Sequence, residues 1–205
     1  IHEYELQAAV EHVFRLHGAE PAYASIVGAG ANACVLHYRD NRAKSRDGDL
    51  VLIDAGAEYR GYAADITRTF PVNGRFTREQ RQLHDLVCAA QAAALAQARP
   101  GVAYEAGHDA AVATLTEGLL SLGLLSGGLE AAIGRGDYKR YYRHKTGHWL
   151  GLDVHDVGEY RIDGESRLLE PGMVFTIEPG LYVSTDDSTV DAKWRGIGIR
   201  TEDDI

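Results

Sequence analysis

Three histidines fall within the stretch His144-Lys145-Thr146-Gly147-His148-Trp149-Leu150-Gly151-Leu152-Asp153-Val154-His155. Imidazole binds metals and moves protons near neutral pH, so histidines set among glycines and apolar side chains are a candidate site. The plainer reading is a glycine-punctuated strand whose histidines satisfy backbone groups. Carboxylates elsewhere weigh against it. The apolar run Leu50–Ile53 ends directly in Asp54, and the extended run Ala63–Phe70 carries Asp65. Met173–Ile177 runs into Glu178, and Ile197–Arg200 leads to Glu202. Asp is depleted from strands, and an unpaired buried carboxylate either costs several kcal/mol or becomes neutral. A capping role for Asp54 and an arginine partner for Asp65 are the alternatives for that pair.

Pooled, Asp54, Asp65, Glu178, Glu202 and His148 are too negative to crowd together without cations. Two divalent ions about 3.5–4 Å apart, with carboxylates bridging them, would balance the charge and assemble a hydrolytic centre. Oxygen-rich ligation suits Mn²⁺ foremost, with Co²⁺, Zn²⁺ and Fe²⁺ also compatible.

The positioning elements follow from periodicity and turn residues. Residues 2–17 read as an amphipathic helix with Leu6, Val10, Val13 and Phe14 on one face and Gly18 as its stop. Ala24–Val27 is extended, a glycine-rich turn covers 28–32, and Cys34–Tyr38 reads as a strand ending near His37. Along 63–70 a period of two puts Asp65, Thr67 and Thr69 on one face and Ile66 and Phe70 on the other. Thr77-Arg78-Glu79-Gln80 is a capping box opening a helix to about residue 98, and 103–122 form another. The second half repeats the first in outline: an apolar strand into an acid and a glycine turn, then a second acidic strand. Such a repeat predicts two α+β halves with a site between them.

At 205 residues the chain is a single domain or two closely joined halves with room for a core. A net charge of −9 and the lack of a basic stripe argue against a nucleic-acid partner. No apolar run reaches membrane-spanning length. Cys34 and Cys88 form no CxxC, so a cytoplasmic setting without disulfides is expected.

These motifs resemble those of the proline-specific metallopeptidases with the pita-bread fold, the Xaa-Pro aminopeptidase (aminopeptidase P) branch above the others. The match is carried by Cys34–Tyr38, by Leu52–Gly56 with Asp65–Phe70, by His148–Gly158, by Glu170–Met173, by Ile177–Tyr182 and by Gly198–Asp204. The resemblance implies two pseudo-symmetric halves, with helices packed on a curved antiparallel sheet. It also implies cleavage between an N-terminal residue and a second-position proline, by a hydroxide shared between two metal ions. Asp54 would bind one ion, Asp65 and Glu202 would bridge both, and His148 and Glu178 would complete the other shell. Glu178 would take or relay the proton of the attacking water, and His155 would stabilise the oxyanion. His37 and His144 would line the substrate pocket and assist proton transfer or positioning, with Arg200 and Tyr182 orienting the carboxylates. Proline has a fixed φ and no N–H, so its pocket must select by shape, and Trp149 is expected around it beside these two histidines.

Three departures stand out. Lys145 occupies a position where the family often has Gly. The chain begins inside the first helix of the catalytic domain and ends soon after the last acidic motif, so a catalytic domain truncated at both ends is expected. Assembly into a homo-oligomer is left open. The alternatives are a prolidase restricted to dipeptides, a non-catalytic module of the same fold that binds peptides or partner proteins, and, less well matched, a methionine aminopeptidase.

Overall fold

Leu50–Asp54 is the middle strand of the first half, with Leu50, Val51 and Leu52 almost fully buried. The computed structural model describes residues 1–205. The strands before the long helices are Glu20–Pro21 (β1), Ile26–Ala29 (β2), Leu50–Asp54 (β3), Ala57–Tyr59 (β4), Tyr62–Ala63 (β5) and Thr67–Pro71 (β6). Those after them are Arg161–Ile162 (β7), Glu165–Ser166 (β8), Thr176–Ile177 (β9), Gly180–Val183 (β10), Ile197–Arg200 (β11) and Asp203–Asp204 (β12). The α-helices are Glu3–Leu16 (α1), Arg78–Leu95 (α2), Glu105–Ser121 (α3) and Leu129–Arg135 (α4).

In the first half β2, β3 and β6 form an antiparallel sheet in which Asp54 lies opposite both Ile26 and Thr67. In the second half β10 pairs β11 and β9 pairs β12, both antiparallel. A bridge between Thr67 and Glu202 joins the halves at their acidic ends. Helix α1 packs on β2, while α2 lies against α3 and the second-half strands. The main core gathers Leu83, Val87, Leu115, Leu119, Leu181 and Ile199, all fully buried. The architecture is the α+β pita-bread arrangement. No helix is long and apolar enough to cross a membrane.

Four local expectations are corrected. Residues 34–38 form no strand: Gly30–Cys34 is a 3₁₀ turn, Val35 and Leu36 face solvent, and His37 takes a φ of 56°. The segment is held by its ends instead, with Cys34 and Tyr38 packed against the cluster of Ile26, Ala33, Leu52 and Tyr182. The run 63–70 is interrupted, since Ala64–Ile66 lie between β5 and β6. There the Ala64 carbonyl presses on Gly56, where a Cβ would lie 1.6 Å from its oxygen. The faces nonetheless hold, with Asp65, Thr67 and Thr69 buried together. The histidine stretch is not a strand either, making only the bridge between Trp149 and Phe175. Finally, Val13 of α1 is half exposed, so the apolar face of that helix is only partly covered.

Candidate metal centre and substrate cleft

Each acid sits at a strand end or within two residues of one, where the neighbouring ladder fixes its backbone. Asp54 closes β3, and Oδ2 accepts from Arg200 Nη2 at 2.5 Å. Asp65 precedes β6, and its N–H donates to Asp204 Oδ2 at 3.1 Å. Glu202 follows β11; its Oε2 accepts from Thr67 Oγ1 at 2.5 Å. Glu178 follows β9 and is fixed by its N–H, which donates to the Thr146 carbonyl at 2.7 Å.

The histidines arrive on irregular backbone. His148 is 3.4 Å from Asp65 Oδ2 and 3.6 Å from Glu178 Oε1 through Nε2, while Nδ1 lies 3.0 Å from the Trp149 carbonyl. That second contact makes Nδ1 the protonated nitrogen and leaves Nε2 as a ligand atom. His155 lies edge-on to His148, with ring centres 4.4 Å apart. His144 is 2.8 Å from the Tyr182 hydroxyl through Nε2 and 3.6 Å from Glu178 through Nδ1. This tight weave depends on Gly147, where a Cβ would stand 1.9 Å from the Thr176 carbonyl oxygen.

Nine of the eleven predicted site residues line one cleft of about 680 Å³: His37, Asp54, Asp65, His144, His148, His155, Glu178, Arg200 and Glu202. Tyr182 stands behind it, receiving a hydrogen bond from Arg200 Nη1 at 3.0 Å. Trp149 is a correction, for it does not line the cleft. Its ring is buried and stacked on Tyr160, with Tyr104 and Phe175 against it, so those three aromatics form the wall that Trp149 supports from behind.

Burial dominates the electrostatics. It pushes the Glu178 carboxyl up to about 7, against the pull of Arg200 and His148. It also raises Asp54, against Arg200, and Glu202, where Glu178 adds to the rise. His144 falls to about 3 through burial and the nearby Arg200 charge. His155 falls through burial and the proximity of His148. For His148 burial acts downward, yet the hydrogen bond to Asp65, the Trp149 carbonyl and the Glu178 charge outweigh it and the net shift is upward. Carboxylates pushed towards neutrality, with His144 and His155 held as neutral imidazoles and His148 drawn towards its charged form, mark a site short of positive charge.

The donor set fits divalent metal ions. Ligand atoms of Asp65, His148 and Glu202 all lie within 4.8 Å of one another. That is close to what one ion spans at metal–ligand distances of about 2.0–2.2 Å. Asp54 and Glu178 border the same cleft outside this tightest triad. Tyr23 is a residue that the sequence pattern does not reveal. Its hydroxyl lies 2.5 Å from both Asp54 Oδ1 and Asp65 Oδ1. A phenol has one hydrogen, so it satisfies one of these carboxylates at a time and leaves the other in want of a cation.

Buried acids and an imidazole converging on one cleft at the junction of two half-sheets define a metallohydrolase centre. The chain belongs to metallopeptidase family M24, whose model matches residues 1–205. It is 51% identical to the Xaa-Pro aminopeptidase of Escherichia coli (strain K12) over 204 residues, 99% of this chain and 46% of that protein. It is 39% identical to Xaa-Pro aminopeptidase 3 of Mus musculus, over all of this chain and 40% of that protein. Among solved structures, the aminopeptidase PepP of Pseudomonas aeruginosa superposes with a TM-score of 0.98 at 56% identity, over all of this chain and 46% of that one. The chain thus spans about half the length of the relatives it matches.

Proposed function

We propose that this chain carries the catalytic centre of an Xaa-Pro aminopeptidase, which releases an N-terminal residue from peptides with proline second. The observation that carries this reading is the convergence of Asp65, His148 and Glu202 beside Glu178 in a histidine-lined cleft. The identity to Xaa-Pro aminopeptidases over the whole chain supports the same substrate class.

Asp54, Asp65, His148, Glu178 and Glu202 would hold two divalent ions, Mn²⁺ being the metal we propose. When bound, such ions supply Lewis acidity to the scissile carbonyl and to the attacking water. Glu178, 3.6 Å from both His144 and His148 in the cleft, would take a proton from the attacking water and relay it to the departing proline nitrogen. His155, at the exposed side of His148, donates a hydrogen bond to the oxygen that gains charge. Proline has a fixed φ and no N–H, so its site must recognise shape. His37 and His144 form imidazole walls for that ring, with Tyr182 and Arg200 holding His144 in place.

The test is hydrolysis by the full-length protein, after Mn²⁺ is added, of Xaa-Pro-Yaa peptides, Xaa-Pro dipeptides and Xaa-Ala-Yaa peptides. The tripeptide with proline should be cleaved fastest, between Xaa and Pro. Faster cleavage of the dipeptide would replace this reading with a prolidase. Equal rates for alanine and proline would remove proline specificity altogether.

A further inference from the structure

Glu3 is a buried carboxylate with no part in the chemistry above. It opens α1, is 0% exposed, and receives four hydrogen bonds. Oε1 accepts from the Ala29 N–H at 2.8 Å and from Asn32 Nδ2 at 2.9 Å. Oε2 accepts from the Tyr38 hydroxyl at 2.9 Å and from the Ala43 N–H at 2.8 Å. Asn32 Nδ2 also donates to the Tyr38 hydroxyl at 3.0 Å, which closes the network.

These donors flank His37. Ala29 and Asn32 precede it, and Tyr38 and Ala43 follow it. The backbone between Val35 and Asn41 has no helix or strand, and His37 itself sits at a φ of 56°. Such backbone carries no ladder to hold it, so side-chain anchors decide where it lies. Tyr38 is the only residue from 35 to 40 whose side chain hydrogen-bonds the rest of the protein, and its partners are Glu3 and Asn32. Leu36, His37 and Arg39 on this segment line the cleft.

We infer that Glu3 is a positioning residue for His37, holding the loop that carries this imidazole against the substrate cleft. The inference rests on the peptidase reading through the place of His37 in the cleft. The carboxylate is specifically required. A glutamine has a single acceptor oxygen, so its NH₂ must face either the Ala29 or the Ala43 N–H, and a backbone donor cannot reverse. Glu3→Gln therefore breaks one end of the clamp while keeping its size.

A double-mutant cycle in the full-length, metal-loaded enzyme tests this. Glu3→Gln should lower kcat/KM for an Xaa-Pro-Yaa peptide about tenfold, mainly through KM, with metal content unchanged. In a His37→Ala background the same change should cost less than about twofold, since coupled residues are not additive. Tyr38→Phe, which removes one donor and leaves the carboxylate in place, should give a smaller loss that also vanishes on His37→Ala. It serves if Glu3→Gln fails to fold. An equal loss in both backgrounds, or loss of metal, would overturn the proposal. Amide hydrogen exchange over residues 35–43 supplies a readout independent of activity and should quicken in either variant. If the parent enzyme cleaves no Xaa-Pro bond, the peptidase reading fails by itself, and unchanged exchange over 35–43 then overturns the role of Glu3 as well.

Discussion

Thr67 holds Glu202 at two points: its hydroxyl donates to Oε2 at 2.5 Å, and its carbonyl accepts the Glu202 N–H at 3.1 Å. The same hydroxyl accepts from Arg200 Nε at 3.1 Å, and Arg200 reaches on to Asp54. A relay thus runs from Asp54 through Arg200 and Thr67 to Glu202. It ties Asp54 of the first half to Glu202 of the second.

Thr67→Val keeps the β-branched shape that suits β6 and deletes only the hydroxyl. Glu202 loses its orienting donor and Arg200 loses an acceptor. Groups that orient metal ligands are worth about 10–100-fold in metal affinity, so a loss of at least about tenfold is expected. Competition with a chelator measures it, and circular dichroism should show the fold intact. Unchanged affinity would show that the backbone bridge alone positions Glu202.

Glu178→Gln and His155→Ala should separate proton transfer from charge stabilisation. Glu178→Gln should reduce kcat at least about 10²-fold, because an amide cannot accept the proton. His155→Ala should also depress kcat while leaving metal content near normal, since its proposed partner is the reacting oxygen. Metal analysis beside steady-state kinetics decides the matter. If His155→Ala loses metal yet keeps its rate per bound ion, His155 belongs to the ligand shell.

The parts of the site that could be read from the sequence are those written in short-range pattern. Asp54 and Glu178 are visible because apolar runs end in them, and the alternation around Asp65, Thr67 and Thr69 survives although the strand itself is broken. Tyr23 carries no such mark: a lone tyrosine in an irregular segment gains its meaning only when β3 and the approach to β6 meet. Glu3 reads as a first-turn acid suited to a helix N-terminus, and its four partners lie 26 to 40 residues away. Trp149 was misplaced because a large aromatic beside a histidine signals burial, and burial behind a wall looks the same in sequence as burial in a pocket.

Metal-free protein should lose stability as pH rises from about 6.5 to about 8.5. Glu178 has a folded value near 7 against an ordinary 4.5, and Asp54 and Glu202 are also raised. A carboxyl raised on folding adds stability that is fully present below its ordinary value and is lost as pH climbs through the folded one. His148, also raised, acts in the same sense. His144 is depressed and acts oppositely, but below its ordinary 6.5, which is why the comparison starts there. Thermal melts at the two pH values, with and without Mn²⁺, measure the effect, and added metal should abolish the decline. A metal-free protein that is more stable at pH 8.5 would contradict this charge balance.

The last prediction concerns Tyr23, whose hydroxyl stands between Asp54 Oδ1 and Asp65 Oδ1. Burial and these two acids raise the phenol well above its ordinary value, so it remains a donor at any working pH. In metal-free protein this hydrogen is the group that separates two carboxylates of like charge. Tyr23→Phe removes it and leaves the ring packing in place, which should destabilise the metal-free protein by about 1–3 kcal/mol, the cost of a buried acceptor left unsatisfied. Divalent ions supply positive charge to the same carboxylates, so the penalty should shrink once the protein is loaded. The measurement is the Tm difference between wild type and Tyr23→Phe, taken metal-free and with saturating Mn²⁺. A difference that shrinks on loading means that the hydroxyl stands in for a cation. An equal difference in both states would make Tyr23 an ordinary structural tyrosine, and a larger one in loaded protein would make it part of the bound site.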